Sequence, residues 1–171
     1  AGVTLRLQPG ILERHRQQRD GDLLAGGDDH IQLARVGMLL DFMGQRDEAR
    51  REFEAALRLN PRLSVAHNNL GVLAHGEGRQ ADAMEHYREA SRLNPDDPEP
   101  LRNLGLILLD QGDVADAARH FEAAYARNPD SADLLDDLGT VALRQGRAEE
   151  AVARYEAALA DADAADKRVE E

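Results

Sequence analysis

Apolar side chains recur at helical intervals through the middle of the chain. Leu70, Leu73 and Ala74 stand at i, i+3 and i+4, and Ala83, Tyr87 and Ala90 follow at similar steps. That spacing places each set on one face of a helix. Gly78 lies between the two runs, where a helix end favours a residue tolerant of positive φ. The pattern predicts a first helix, a short turn and a second helix. It is then punctuated: LRLNP, SRLNP and YARNP end at Pro61, Pro95 and Pro129. Proline lacks an N–H and clashes with the turn before it, so it stops the second helix.

The prolines are 34 residues apart, and other positions keep the same step. Four units result: 30–63, 64–97, 98–131 and 132–165. Gly37, Gly71, Gly105 and Gly139 occupy the eighth position, preceded by Val36, Leu70, Leu104 and Leu138. The fifteenth holds Gly44, Gly78, Gly112 and Gly146, and the twentieth Ala49, Ala83, Ala117 and Ala151. Phe53, Tyr87, Phe121 and Tyr155 share the twenty-fourth, and Ala56, Ala90, Ala124 and Ala158 the twenty-seventh. The small residues let the two helices of a unit approach closely, and the aromatic fills the space towards the next unit. A single helix pair cannot bury its own apolar faces, so such units stack into a solenoid. Ser64, Asp97 and Ser131 are expected to cap the next first helix, with Pro98 at a first helical position.

The Leu-Gly, Ala, aromatic, Ala and Pro positions over 34 residues resemble the signature of the tetratricopeptide repeat. The resemblance covers residues 30–165. It implies an all-α, right-handed superhelical solenoid of antiparallel helix pairs with four intact repeats. Two positions depart from the family pattern. Its bulky aromatic at position four is Leu33, His67, Leu101 and Leu135, and its Tyr at eleven is Leu40, Ala74, Leu108 and Ala142. Looser packing of the first helices is the expectation. Asp163 stands where the fourth unit should have proline, so the last helix is free to extend or fray.

Residues 1–29 are read as an irregular segment: LRLQP at 5–9 as the remnant of an eroded repeat, a short charged helix near Ile11 to Arg19, then a loop. Residues 166–171 form a polar tail. The absent initiator Met suggests a processed chain or an excised fragment, which keeps a scaffolding or regulatory piece of a larger protein in view.

Composition narrows the function. No apolar run approaches the roughly 18 residues of a membrane span, and the first residues do not form a signal peptide. Without cysteine there is no disulfide, thiolate nucleophile or Cys-based zinc site. That fits cytoplasm or periplasm, with cytoplasm favoured. The net charge is −12, made of −1 over residues 1–95 (13 basic, 14 acidic) and −11 over residues 96–171 (8 basic, 19 acidic). So acidic a half repels phosphate, which argues against nucleic acid, and it attracts basic partners. Lys167 is the single lysine beside twenty arginines, as a GC-rich, bacterial genome would give.

Catalytic patterns are missing. Asp82/His86 and Asp116/His120 repeat at i, i+4, but packed helices stand roughly 10 Å apart, too far for both pairs to share one metal. They read as helix-surface pairs. His67 takes packing position four and reads as a core histidine. GEGRQA at 76–81 matches a dinucleotide fingerprint only by letter, since a helix and not a strand precedes it. The expectation is no enzyme, no cofactor and no metal.

The family resemblance implies a concave groove lined by the first helices, receiving an extended or helical peptide. Carried over by position, Met38, Phe42, Val72, Leu106 and Leu109 form its apolar strip. Asn68, Asn69 and Asn103 are placed to bond a peptide backbone; His75, Arg102 and Thr140 also face it. Glu99, Asp133, Asp136 and Asp137 favour Lys or Arg on the ligand. A clamp for a C-terminal carboxylate is not expected, because its basic positions hold Ala34, Met38, Glu99 and Asp137 instead. The predicted function is a protein or peptide interaction module, an adaptor or scaffold, with homo-oligomerisation through the repeat end faces as the alternative.

Overall fold

The turn inside each unit is set by a glycine. Gly112 adopts a φ of 82°, and Gly44, Gly78 and Gly146 repeat the geometry. A Cβ at such a φ meets the following carbonyl, which is why glycine stands there. The structure, a computed structural model, describes residues 28–169, with side chains through 160. The expectations for the eroded repeat and the short charged helix lie outside the described residues.

Eight helices and no strand make up the described residues. They are α1 (Asp29–Phe42), α2 (Arg46–Leu59), α3 (Ser64–Gly76), α4 (Gln80–Leu93), α5 (Glu99–Asp110), α6 (Val114–Tyr125), α7 (Ala132–Arg144) and α8 (Ala148–Val169). They pack as antiparallel pairs, α1 with α2 through α7 with α8, and consecutive pairs meet through α2/α3, α4/α5 and α6/α7. The first helices also touch one another, α1 with α3 and α3 with α5. The fold is an all-α helical solenoid. With no proline at 163, α8 runs on to Val169.

Within a pair the contact is as close as backbone allows. A Cβ built on Gly71 would lie 2.6 Å from Cε1 of Tyr87. Gly37 meets Phe53, Gly105 meets Phe121 and Gly139 meets Tyr155 in the same way. Phe53, Tyr87 and Phe121 are fully buried, as are the alanines at 49, 56, 83, 90, 117 and 124. Burial of each aromatic contributes about 2–3 kcal/mol and pushes the Tyr87 phenol up to about 12. Arg154 of α8 reaches back over the ring of Tyr125, 5.8 Å from its centroid, and so joins two pairs.

Some expectations require correction. The first helices are not loosely packed: Leu33, Leu101 and Leu135 at position four are buried, as are Leu40, Ala74 and Ala142 at eleven. Leucine and alanine fill the space because the aromatic of the second helix already occupies its centre. Ser64 is not a cap. Leu63 holds that place, its carbonyl already accepting from the N–H of Ala66 and His67, so Ser64 begins the helix. Pro98 sits at the cap of α5 rather than inside it, and Pro100 occupies the first turn. Asp97 accepts from the Glu99 N–H at 3.0 Å, and Ser131 caps α7 by accepting from the Leu134 N–H at 3.3 Å. Asp113, which the pattern did not single out, caps α6 through the Asp116 N–H.

Candidate functional site

The first helices carry the side chains assigned to the groove, and the repeat step decides which remain available. On α1 and α3, Phe42 is 91% exposed, Met38 48% and Val72 39%. These are large apolar side chains on neighbouring helices with no cover among the described residues. Leu106 of α5 is half-buried. Leu109 is the exception: it is buried with Leu101, Phe121, Leu134 and Leu138 where α7 closes over α5. It supports the strip from beneath and does not line it. His75 is half-buried in the last turn of α3.

Polar groups of the same face join one first helix to the next. Asn103 donates its amide to Asn68 Oδ1 at 3.2 Å, linking α5 to α3. Asn69 instead donates to the Val65 carbonyl of its own helix at 2.7 Å. Arg102 of α5 donates to Asp137 at 2.6 Å and to Asp133 at 2.9 Å, both on α7. Asp137 is therefore not a free ligand for a basic partner: it is buried, and burial lifts its carboxyl above the ordinary range despite the guanidinium. Desolvation works against the charge on Arg102, but the hydrogen bond to Asp137 together with the negative charges of Asp137, Asp133 and Glu99 outweighs it and holds the guanidinium more firmly protonated. Asp133 keeps most of its side chain in solvent, and Asp136 is exposed with no ion pair among the described residues. Thr140 bonds the Tyr155 hydroxyl at 3.1 Å, on the open side of the last pair.

Histidines at the second pair behave differently from the sequence expectation. His67 is half-buried rather than in the core. Its Nδ1 lies 3.3 Å from His86 Nδ1, and its Nε2 lies 3.2 Å from the Pro61 carbonyl. The set is satisfied when His67 Nε2–H donates to Pro61 and His86 Nδ1–H donates to His67. The ring centroids are 5.5 Å apart, so the nitrogens meet nearly head on, the geometry of a hydrogen bond. Asp82 is held by Arg79 and Asp116 by Arg119. Among the described residues no group of three or more His, Cys, Asp or Glu is placed to hold a metal. Residues 76–81 form the end of α3 and the turn into α4.

A second charged region lies away from this face. Arg50, Arg58 and Arg79, with Glu54 and His86, surround a shallow cleft floored by Leu57 and Leu70, where α2, α3 and α4 meet. Arg50 and Arg79 are both paired with Glu77 there, so the cleft's positive charge is largely neutralised within the chain.

The tetratricopeptide-repeat family model matches residues 37–98 and 102–167. These spans take in most of the sequence, and the chain belongs to the tetratricopeptide-repeat family. Among solved structures, the crystal structure of MamA superposes with a TM-score of 0.72 at 19% identity, covering 95% of this chain and 99% of that one. The crystal structure of the APC/C hetero-tetramer Cut9–Hcn1 gives a TM-score of 0.74 at 24% identity, covering 84% of this chain but 28% of that one. Pseudomonas aeruginosa PilF gives 0.72 at 23% identity, covering 78% of this chain and 61% of that one. At such identities the likeness is one of fold. No curated protein matches the sequence. The family is one of non-catalytic protein–protein interaction scaffolds, and that is the general role of this chain. No helix among the described residues is long and apolar enough to cross a membrane.

Proposed function

We propose that the face of the first helices binds a peptide segment, extended or helical, that carries apolar anchor side chains and a basic residue. The observation behind this reading is the exposed set Met38, Phe42 and Val72 on adjacent helices, continued towards the exposed acids Asp133 and Asp136. Apolar anchors entering such a strip supply affinity by leaving water. The two acids select the end of the ligand that carries Lys or Arg. Asn68 and Asn103 hold each other and turn their remaining polar capacity to the ligand backbone. The module has no part in bond-making chemistry; it joins its ligand to whatever else it binds.

Selection from a displayed random-peptide library tests the reading. Selected peptides should combine apolar residues with Lys or Arg. Their affinity should fall by roughly tenfold or more for Phe42→Ala with Val72→Ala, as loss of central apolar anchors does. It should fall less, and in a salt-dependent way, for Asp133→Asn with Asp136→Asn. Peptides that bind all three proteins equally would place recognition on another surface.

A further inference from the structure

Two of the three junctions between units follow one rule; at the first, position five is Ala34, and Asn69 bonds within its own helix. A side chain at position five of a first helix bonds one at position six of the next first helix, 35 residues on. Asn68 meets Asn103 in this way, and Arg102 meets Asp137. The next residue in that series is Asp136, at position five of α7, which is exposed and has no ion pair among the described residues. At the other end of the described solenoid, position six of α1 is Arg35, also exposed and without an ion pair among the described residues. The two unfilled places have opposite charge.

The apolar surfaces around them match as well. At position ten Leu73, Ile107 and Val141 are buried against the preceding pair, Val141 at 1% exposure, whereas Leu39 of α1 is 53% exposed. At position twelve Leu109 is 6% exposed beneath α7, while its counterpart Leu143 is 57% exposed with nothing over it among the described residues. Leu159, Tyr155 and Ala158 line a shallow cleft rimmed by Asp133 and Asp136, at the positions by which Tyr125, Phe121 and Ala124 support α7 one unit earlier. One end shows the ridge of a first helix, and the other shows the seat such a helix fills inside the chain.

We infer that copies of this chain join head to tail, with α1 of one copy seated on the α7/α8 face of another and Arg35 paired with Asp136 across the junction. Leu39 enters the place that Val141 takes inside the chain, and Leu143 and Leu159 are covered as Leu109 and Tyr125 are. The contact is heterologous, so each added copy leaves a new pair of ends, and assembly proceeds beyond a dimer unless the rotation closes a ring. This goes beyond the groove reading: it shares Asp136 with that reading, but Arg35 and Leu39 lie outside the residues assigned to peptide binding.

Sedimentation velocity and light scattering of the full chain across a wide concentration range test the inference, with circular dichroism checking that each variant stays helical. The wild-type mass should rise with concentration. Arg35→Asp and Asp136→Arg place like charges together, and each alone should weaken association by roughly tenfold or more. An equimolar mixture of the two variants restores an opposite-charge pair at every junction and should assemble like the wild type. A wild type that stays monomeric throughout, single variants that associate unchanged, or a mixture no better than its components would each overturn the pairing.

Discussion

The pairs α3/α4 and α7/α8 obey the same local rule and stand in different surroundings. In both, a glycine of the first helix lies against a tyrosine of the second, with a notional Cβ 2.6 Å from Tyr87 in one and 2.7 Å from Tyr155 in the other. Tyr87 is sealed by Leu104 and Ile107 of the following helix. Among the described residues no further helix covers Tyr155, which is half-buried with its hydroxyl on Thr140. Stability in a stacked array is the sum of each unit and its neighbour contacts. The same residue therefore carries different weight according to what lies beyond it.

Alanine at the two glycines should separate these cases most strongly. Gly71→Ala forces the buried ring of Tyr87 to move against α5, and should cost roughly 2–3 kcal/mol after the gain in helix propensity. Gly139→Ala meets a ring that can swing into solvent, which offsets most of the clash, and should stay within about 1 kcal/mol of the wild type. Urea denaturation reads both. Equal losses would show that Tyr155 is held as firmly as Tyr87, and the contrast between inner and outer pairs would be lost.

The next contrast is between two junctions. Arg102→Ala leaves Asp137 with its carboxylate buried and its main partner removed, and should cost about 2 kcal/mol at neutral pH. Asn68→Ala leaves a half-buried amide that water can reach, and should cost about 0.5–1 kcal/mol. The pH dependence distinguishes the two mechanisms. Burial already raises the Asp137 carboxyl above its ordinary value, so acidification protonates it early in the variant and removes the buried charge. The deficit of Arg102→Ala should shrink as pH falls, and that of Asn68→Ala should not. A deficit for Arg102→Ala that stays the same as pH falls would assign the loss to packing.

The repeat itself was legible because backbone geometry demands it at fixed intervals. Glycine at the turn, glycine opposite an aromatic and alanine between the helices are residue types that nothing else replaces at those contacts. The groove was less legible. Position twelve looks alike in Leu109 and Leu143, and only the presence of α7 buries the first and leaves the second open. The acids at 133, 136 and 137 read as one negative patch, yet Arg102, thirty-five residues from Asp137, takes two of them. The step of 35 was present in the sequence as Asn68/Asn103 and Arg102/Asp137, one residue longer than the repeat, and reading along it would have found the pairs. The expected cap at Ser64 failed because the turn after Pro61 brings Leu63, not Ser64, to the helix start.

That difference gives a smaller effect at two positions alike in letter. Ser131→Ala removes an acceptor for the Leu134 N–H and should cost about 1 kcal/mol. Ser64→Ala, one residue inside its helix, should fall within about 0.5 kcal/mol of the wild type, since alanine suits a helix slightly better than serine. Thermal unfolding of the two variants side by side checks this. Comparable losses would mean that the Ser64 hydroxyl has a partner in solution that the structure does not show.

The smallest expected contrast concerns protons at the second and third pairs. His86 and His120 stand at equivalent places, and burial depresses both imidazoles below their ordinary value. His86 is depressed further by His67 beside it, with Arg79 acting the same way and Asp82 and Glu85 opposing. The third pair has Leu101 where the second has His67. A histidine that binds its proton less readily when folded than when unfolded stabilises the fold while both states are neutral. As pH falls through about 6.5, the unfolded chain takes up the proton first and stability declines until the folded value is passed. His67→Leu makes the second pair resemble the third. It removes a depressing charge from His86, so the decline in unfolding free energy between about pH 7 and pH 5 should become shallower than in the wild type. An unchanged slope would leave burial alone as the cause at His86, and the head-on contact with His67 would then have no part in the acid response.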